Sequence, residues 1–226
     1  MFDPETFVAD CRAATVEPDP AGAVREVVAA AIADPSSIDT ALGTTIEQEP
    51  KPLFLSDELT VRRVLWPPGL ATAPHEHRMW AVVGVYAGEE RNSIYQRSSE
   101  GLAQLRECVL NPGDVLVLDA DGIHAVDNPR RSWTAGLHVY GGDLPHTDRS
   151  AWGPDGREVS FQEWRAWYSQ LTQAMREVAR DHDRVIDDEA TYLANRALLA
   201  SWERERRYLT ADEARHIIAE AWHIEA

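Results

Sequence analysis

The chain has 226 residues, 44% of them hydrophobic and 27% charged, with a formal net charge of −16. That is enough apolar sequence for one substantial core, and so acidic a balance, with no basic patch, speaks against nucleic acid and against an anionic membrane surface as partners. The two cysteines, Cys11 and Cys108, lie far apart and make no disulfide framework; with no basic, then apolar, leader in MFDPETFVAD and no apolar run of about 18 residues, a cytoplasmic protein is expected.

Residues 1–48 read as a helical N-terminal extension. Asp3 is placed to cap a helix that has Pro4 in its first turn, and AGAVREVVAAAIAD has the apolar spacing of an amphipathic helix. Residues 49–150 read as strands and turns. LTVRRVLW, WAVVGVY, NSIYQR, DVLVL and WTAGLHVY are β-rich runs separated by PPG, AGEE, NPGD, DADG and NPRR. Turns this dense leave no room for crossover helices, so an antiparallel barrel or sandwich is predicted, with strands from about 50 to 145. Residues 151–226 read as a C-terminal helical extension packed on the barrel. Ser160 with Glu163, and Thr210 with Glu213, have capping-box spacing, and Trp164, Trp167, Tyr168, Leu171 and Met175 form a core-facing stripe.

Three of the eight histidines have a spacing that implies chemistry. PHEH puts His75 and His77 two residues apart, on one face of a strand. His124 follows the tight turn of DADG and enters another strand. Three neutral imidazoles can hold one ion and leave coordination positions open. Glu76, between the first two, points to the opposite face. His146, His182, His216 and His223 have no partner spacing and are expected on the surface. Cys108 fits a core position better than a nucleophile's. Arg63 lies on a strand whose facing the sequence leaves open. No nucleophile elbow, phosphate loop or dinucleotide fingerprint is present.

The segment from Gly69 to Gly88 resembles the first motif of the cupin superfamily, with Gly69, His75, His77 and Gly88 in register and Ala81 at the carboxylate position. Gly113, His124 and Asn128 match the second motif, with Asp119 and Asp121 in place of its proline and inner glycine. The resemblance implies a mainly β fold, the cupin double-stranded β-helix (an antiparallel β-barrel), with α-helices at both ends. Cupins with three histidines and no glutamate resemble the thiol dioxygenases of the cysteine dioxygenase and mercaptopropionate dioxygenase type. GLHVYGGD is similar to that group's Ser-x-His-x-Tyr strand, with His138 and Tyr140 in the histidine and tyrosine places and Gly136 in place of the serine.

The resemblance spans roughly residues 50–150. It implies His75, His77 and His124 as metal ligands, His138 and Tyr140 as the catalytic pair, and Arg149 as the group that binds a substrate carboxylate. It implies Fe(II) as cofactor, with Zn, Ni, Mn or Cu open because imidazole suits them all. The partners would be a small thiol and O2, and the product a sulfinate. Two other readings stay open: another metal cupin enzyme (a carbon–carbon cleaving dioxygenase, a lyase or an isomerase), or a non-catalytic ligand-binding cupin.

Overall fold

The computed structural model describes residues 1–43, 51–99 and 101–224. Three helices open the chain: α1 (Pro4–Ala14), α2 (Pro20–Ile32) and α3 (Pro35–Leu42). Each begins with an aspartate whose side chain accepts a backbone N–H of the first turn, followed by proline, which needs no partner there. Eleven strands follow: β1 (Phe54–Leu55), β2 (Thr60–Trp66), β3 (His75–Glu76), β4 (Ala81–Ala87), β5 (Glu90–Ser98), β6 (Gly101–Leu110), β7 (Val115–Leu118), β8 (Ile123–Asp127), β9 (Thr134–Tyr140), β10 (Ser150–Trp152) and β11 (Glu158–Ser160). The chain then forms α4 (Phe161–Asp181), α5 (Asp188–Glu205) and α6 (Ala211–Ala221).

The strands pair as two antiparallel sheets, β1-β2-β9-β4-β7 and β11-β10-β3-β8-β5-β6. Numbered from β2 to β9, the central strands run 1-8-3-6 in one sheet and 2-7-4-5 in the other, which is the double-stranded β-helix. Two expectations are corrected. The strands form two stacked layers, with no ladder joining them among the described residues, so the β part is a sandwich and not a closed barrel. The second sheet also runs past residue 145, through β10 and β11, strands of three residues each that carry too little periodicity to stand out in sequence.

Alternation sends each face of the strands to a different core. Val82, Tyr86, Leu137 and Val139 face outward and pack beneath Val24, Val28 and Ile32 of α2. The helix lies so close that a Cβ on Gly84 would be 2.4 Å from Val28 Cγ1. Ala81, Val83, Val85, Ile94, Leu116, Leu118 and Tyr140 face inward, into the space between the sheets. Each large side chain buried in this way contributes about 1.5–3 kcal/mol. Of the motif glycines, Gly88 combines φ 78° with a position where a Cβ would meet Thr134 Oγ1 at 2.4 Å, so only glycine fits between β4 and β5.

The C-terminal helices form a third cluster. Trp164, Trp167, Leu171 and Met175 of α4 are buried, as their spacing predicts, against α5, α6 and the Ala73–Ala151 edge of the second sheet. Ser160 accepts the Glu163 N–H at 3.1 Å, and Thr210 with Glu213 forms a complete capping box. Asn195 and Arg196 tether α5 to the sandwich, donating to Pro68 O at 2.8 Å and to Asp127 Oδ1 at 2.7 Å. Among the described residues, no helix is long and apolar enough to cross a membrane.

Candidate metal centre

Strand β3 is only two residues long, but its register fixes the site. His75 is the cross-strand partner of His124 on β8, so the two side chains emerge on the same face. His77 follows two positions after His75, just before a left-handed turn at Arg78 (φ 60°). The three rings converge, with centroids 4.7 Å apart for His75–His124, 5.0 Å for His77–His124 and 5.2 Å for His75–His77. One nitrogen from each lies within 4.8 Å of the others, and all three residues are buried. The cluster can hold a metal ion; among the described residues no carboxylate joins it. Ala81, at the cupin carboxylate position, sits inside the sandwich opposite Tyr140.

Hydrogen bonds set which nitrogen each ring offers. His75 Nδ1 faces the Ala73 carbonyl oxygen at 3.0 Å and His124 Nδ1 faces Asn92 Oδ1 at 2.7 Å. Both neighbours are acceptors, so both Nδ1 atoms carry the proton and both Nε2 atoms keep a lone pair. His124 Nε2 and His77 Nδ1 are buried with no hydrogen-bond partner among the described residues. Buried polar atoms are seldom left so, and a metal ion would satisfy the lone pair on His124. Burial is the main cause that depresses the imidazole pKa values, to about 4 for His75 and well below the usual range for His77 and His124. The rings are therefore neutral at pH 7, the state a metal requires.

His138 and Tyr140 lie beside this cluster on β9. His138 Nδ1 is 3.1 Å from the Tyr140 hydroxyl, and the Tyr140 ring packs edge-on against His77 with centroids 5.0 Å apart. Burial pushes Tyr140 up to about 12 and His138 down to about 3, the latter helped by the nearby Arg62 guanidinium. Arg149 also reaches the site. Its guanidinium lies 3.6 Å above the Phe161 ring, which in turn packs against His75 at 5.5 Å. Burial pulls Arg149 down to about 10, so it remains a cation at pH 7, and its field reaches all three histidines. Among the described residues no carboxylate pairs with it, whereas Asp143 is taken by His146.

The other sequence-level candidates lie elsewhere. Arg63 faces outward, donating to Tyr86 Oη at 2.6 Å and Asp39 Oδ1 at 3.0 Å. Glu76 turns away from the cluster, accepting from Arg78, Arg97 and the Ser150 N–H. His146, His182, His216 and His223 are exposed, and Cys108 is half-buried. Sequence reasoning missed four neighbours: Arg62, Phe161, Asn92 and Glu90. Glu90 is completely buried, accepts from Trp66 Nε1 at 2.6 Å and Asn92 Nδ2 at 2.9 Å, and lies 3.7 Å from His138 Nε2. Its signal was period-two spacing: Glu90, Asn92 and Ile94 alternate inward along β5.

No protein-family model matches the chain. Solved structures to which it is similar include the DMSP lyase DddQ from Ruegeria pomeroyi, at 26% identity over 42% of this chain, with a TM-score of 0.34. They also include TT1209 from Thermus thermophilus, at 25% identity over 43% of this chain and 87% of that one, with a TM-score of 0.35. A cupin superfamily protein from Desulfitobacterium hafniense is 18% identical over 47% of this chain and 88% of its own, with a TM-score of 0.38. The chain spans less than half of the lyase, 43% of its length.

Proposed function

We propose that the protein is an iron(II)-dependent dioxygenase that converts a small thiol bearing a carboxylate to its sulfinate, with a 3-mercaptopropionate-type substrate ahead of cysteine. The observation that carries this reading is Arg149, a half-buried guanidinium with no carboxylate partner among the described residues, beside a cluster of three neutral histidines. Withdrawing a cation from water without a partner is costly, the more so the deeper it lies. A substrate carboxylate would offset that cost through a paired hydrogen bond. Three neutral ligands leave a divalent ion's charge uncompensated, which favours an incoming thiolate. Among the described residues no carboxylate joins the cluster to receive an ammonium group.

An iron(II) ion held by His75, His77 and His124 would supply the redox chemistry by which both atoms of O2 are added to a thiolate, R–S⁻ and O2 giving R–SO2⁻. The chain's own residues provide the rest. Arg149 anchors the carboxylate end and so orients the sulfur, turning a collision into a positioned encounter. Tyr140, held by His138, presents its hydroxyl to the reacting groups. Ile94, Leu116 and Leu118 keep bulk water from the inner space.

A second reading, a metal-dependent lyase, is favoured by one feature. The buried Tyr140–His138 pair beside Glu90 is also an arrangement for removing a proton. Metal analysis followed by an oxygen electrode separates the two. The iron-loaded protein should consume oxygen with 3-mercaptopropionate and yield its sulfinate. Failure across a panel of small thiols, with iron confirmed in place, would leave the lyase reading.

A further inference from the structure

Among the described residues no carboxylate joins the three histidines, and Gly136 has no hydroxyl, yet one fully buried acid, Glu90, lies 3.7 Å from His138 and bonds Asn92, which faces His124. We propose that Glu90 is a positioning residue that fixes the ring proton of two histidines at once, His138 through space and His124 through Asn92. The inference rests on reading His75, His77 and His124 as a metal centre.

The first half concerns Asn92. Both Glu90 oxygens accept, Oε2 from Trp66 Nε1 at 2.6 Å and Oε1 from Asn92 Nδ2 at 2.9 Å. The amide nitrogen of Asn92 is thereby directed at Glu90, and its oxygen is left to face His124 Nδ1 at 2.7 Å. An oxygen there requires a proton on Nδ1 and frees the Nε2 lone pair for a metal ion. A reversed amide would place N–H against Nδ1 and drive the proton onto the wrong nitrogen. One carboxylate thus determines, two bonds away, which atom of His124 can act as a ligand.

The second half concerns His138. Its Nε2 is buried with no hydrogen-bond partner among the described residues, and Glu90 Oε2 faces it from 3.7 Å. Burial raises the Glu90 pKa, and the two N–H donors to its oxygens oppose that rise. Facing an acceptor, Nε2 carries the ring proton. Nδ1 is then the acceptor of the 3.1 Å bond from the hydroxyl of Tyr140, whose ring packs against His77. The hydroxyl expected at residue 136 is absent because it has no space: a Cβ there would lie 2.8 Å from Gly84 O and 3.0 Å from His138 Nε2. Glu90 approaches His138 from β5, in the opposite sheet, instead.

The test reads ring protons and metal affinity, and needs no turnover. In the metal-free full chain, ¹⁵N NMR should place the proton on Nε2 of His138 and on Nδ1 of His124. Glu90→Gln cannot accept at both ends, so one of Trp66 or Asn92 loses its acceptor; zinc affinity, by competition with a chelator, should fall about 10- to 100-fold. The proposal is overturned if wild-type His138 is protonated on Nδ1, or if folded Glu90→Gln protein binds zinc as tightly as wild type. Should Glu90→Gln fail to fold, the wild-type ring protons still decide. If wild-type protein binds no zinc, iron or other divalent ion, the metal-centre reading falls, and the His138 ring proton alone decides whether Glu90 orients it.

Discussion

His75 and His124 are direct cross-strand partners on β3 and β8, and their rings lie 4.7 Å apart. A one-residue slip of that register would turn His124 to the opposite face, so the centre depends on strand pairing as much as on histidine content. Replacing His124 with alanine should lower zinc or iron affinity by more than about 100-fold, beyond the usual effect of losing an outer hydrogen-bond partner. The fold should persist, because the inner apolar layer is untouched. Metal content by elemental analysis, alongside circular dichroism, checks both halves; full occupancy in the folded variant would remove His124 from the centre.

Arg149 is expected to act in binding. A charge-assisted hydrogen bond is worth about 1.5–3 kcal/mol, so Arg149→Ala should raise KM about 10- to 100-fold, with kcat changed much less if the contact is equal in ground and transition states. Arg149→Lys should restore only part of the loss, since an ammonium cannot make the paired contact or lie flat on Phe161. A loss confined to kcat would show that Arg149 does not anchor the carboxylate.

Tyr140→Phe keeps the ring against His77 and removes only the hydroxyl that meets His138. Turnover should fall about 10²-fold or more if the hydroxyl moves a proton in the rate-limiting step. Metal content should stay at the wild-type level. An unchanged rate would reduce Tyr140 to a packing residue.

The pH dependence of stability follows from burial. His75 and His138 have folded-state pKa values of about 4 and about 3, and His77 and His124 are also depressed. In the unfolded chain each sits near 6.5. Above about pH 6.5 both states hold neutral rings and nothing changes. Below it the unfolded chain binds protons that the folded chain refuses, so stability falls as pH falls from about 6.5 toward 4. The slope is up to about 1.4 kcal/mol per pH unit for each histidine. Urea midpoints of metal-free protein should therefore drop between pH 7 and pH 5. A flat profile across that interval would mean that the rings accept protons in the folded state.

The strands were legible because short β-rich runs are separated by dense turn residues, and the three histidines because two of them share a period-two face. What was hidden has physical causes. In Val61-Arg62-Arg63-Val64 polar and apolar residues do not alternate, so sequence could not say which arginine faces inward; the structure turns Arg63 out to Asp39, while Arg62 acts on His138 and Tyr140. Glu90 lies in AGEE, which reads as a turn, although it is the first inward residue of β5. Helix α3 is eight residues long with a single buried side chain, Ile38, and so has almost no apolar stripe. Arg149 precedes a three-residue strand, and only the family resemblance singled it out.

Gly136 gives the last prediction, because the resemblance and the packing pull in opposite directions there. Restoring the serine of the related motif, Gly136→Ser, would appear to complete a Ser–His–Tyr relay. In this fold the new Cβ would lie 2.8 Å from the Gly84 carbonyl oxygen and 3.0 Å from His138 Nε2. The first neighbour is backbone in the centre of a sheet and cannot yield without spreading β4 from β9. The second is the ring that holds Tyr140. Overpacking of this kind costs about 1–3 kcal/mol, so Gly136→Ser and Gly136→Ala should both lower the urea midpoint. Turnover should fall in both, because His138 is displaced, while metal affinity at the three histidines of β3, β8 and the turn after β3 should stay at the wild-type level. If Gly136→Ser instead matched wild-type stability and raised turnover, the serine would fit, and Glu90 would not be the group that His138 needs.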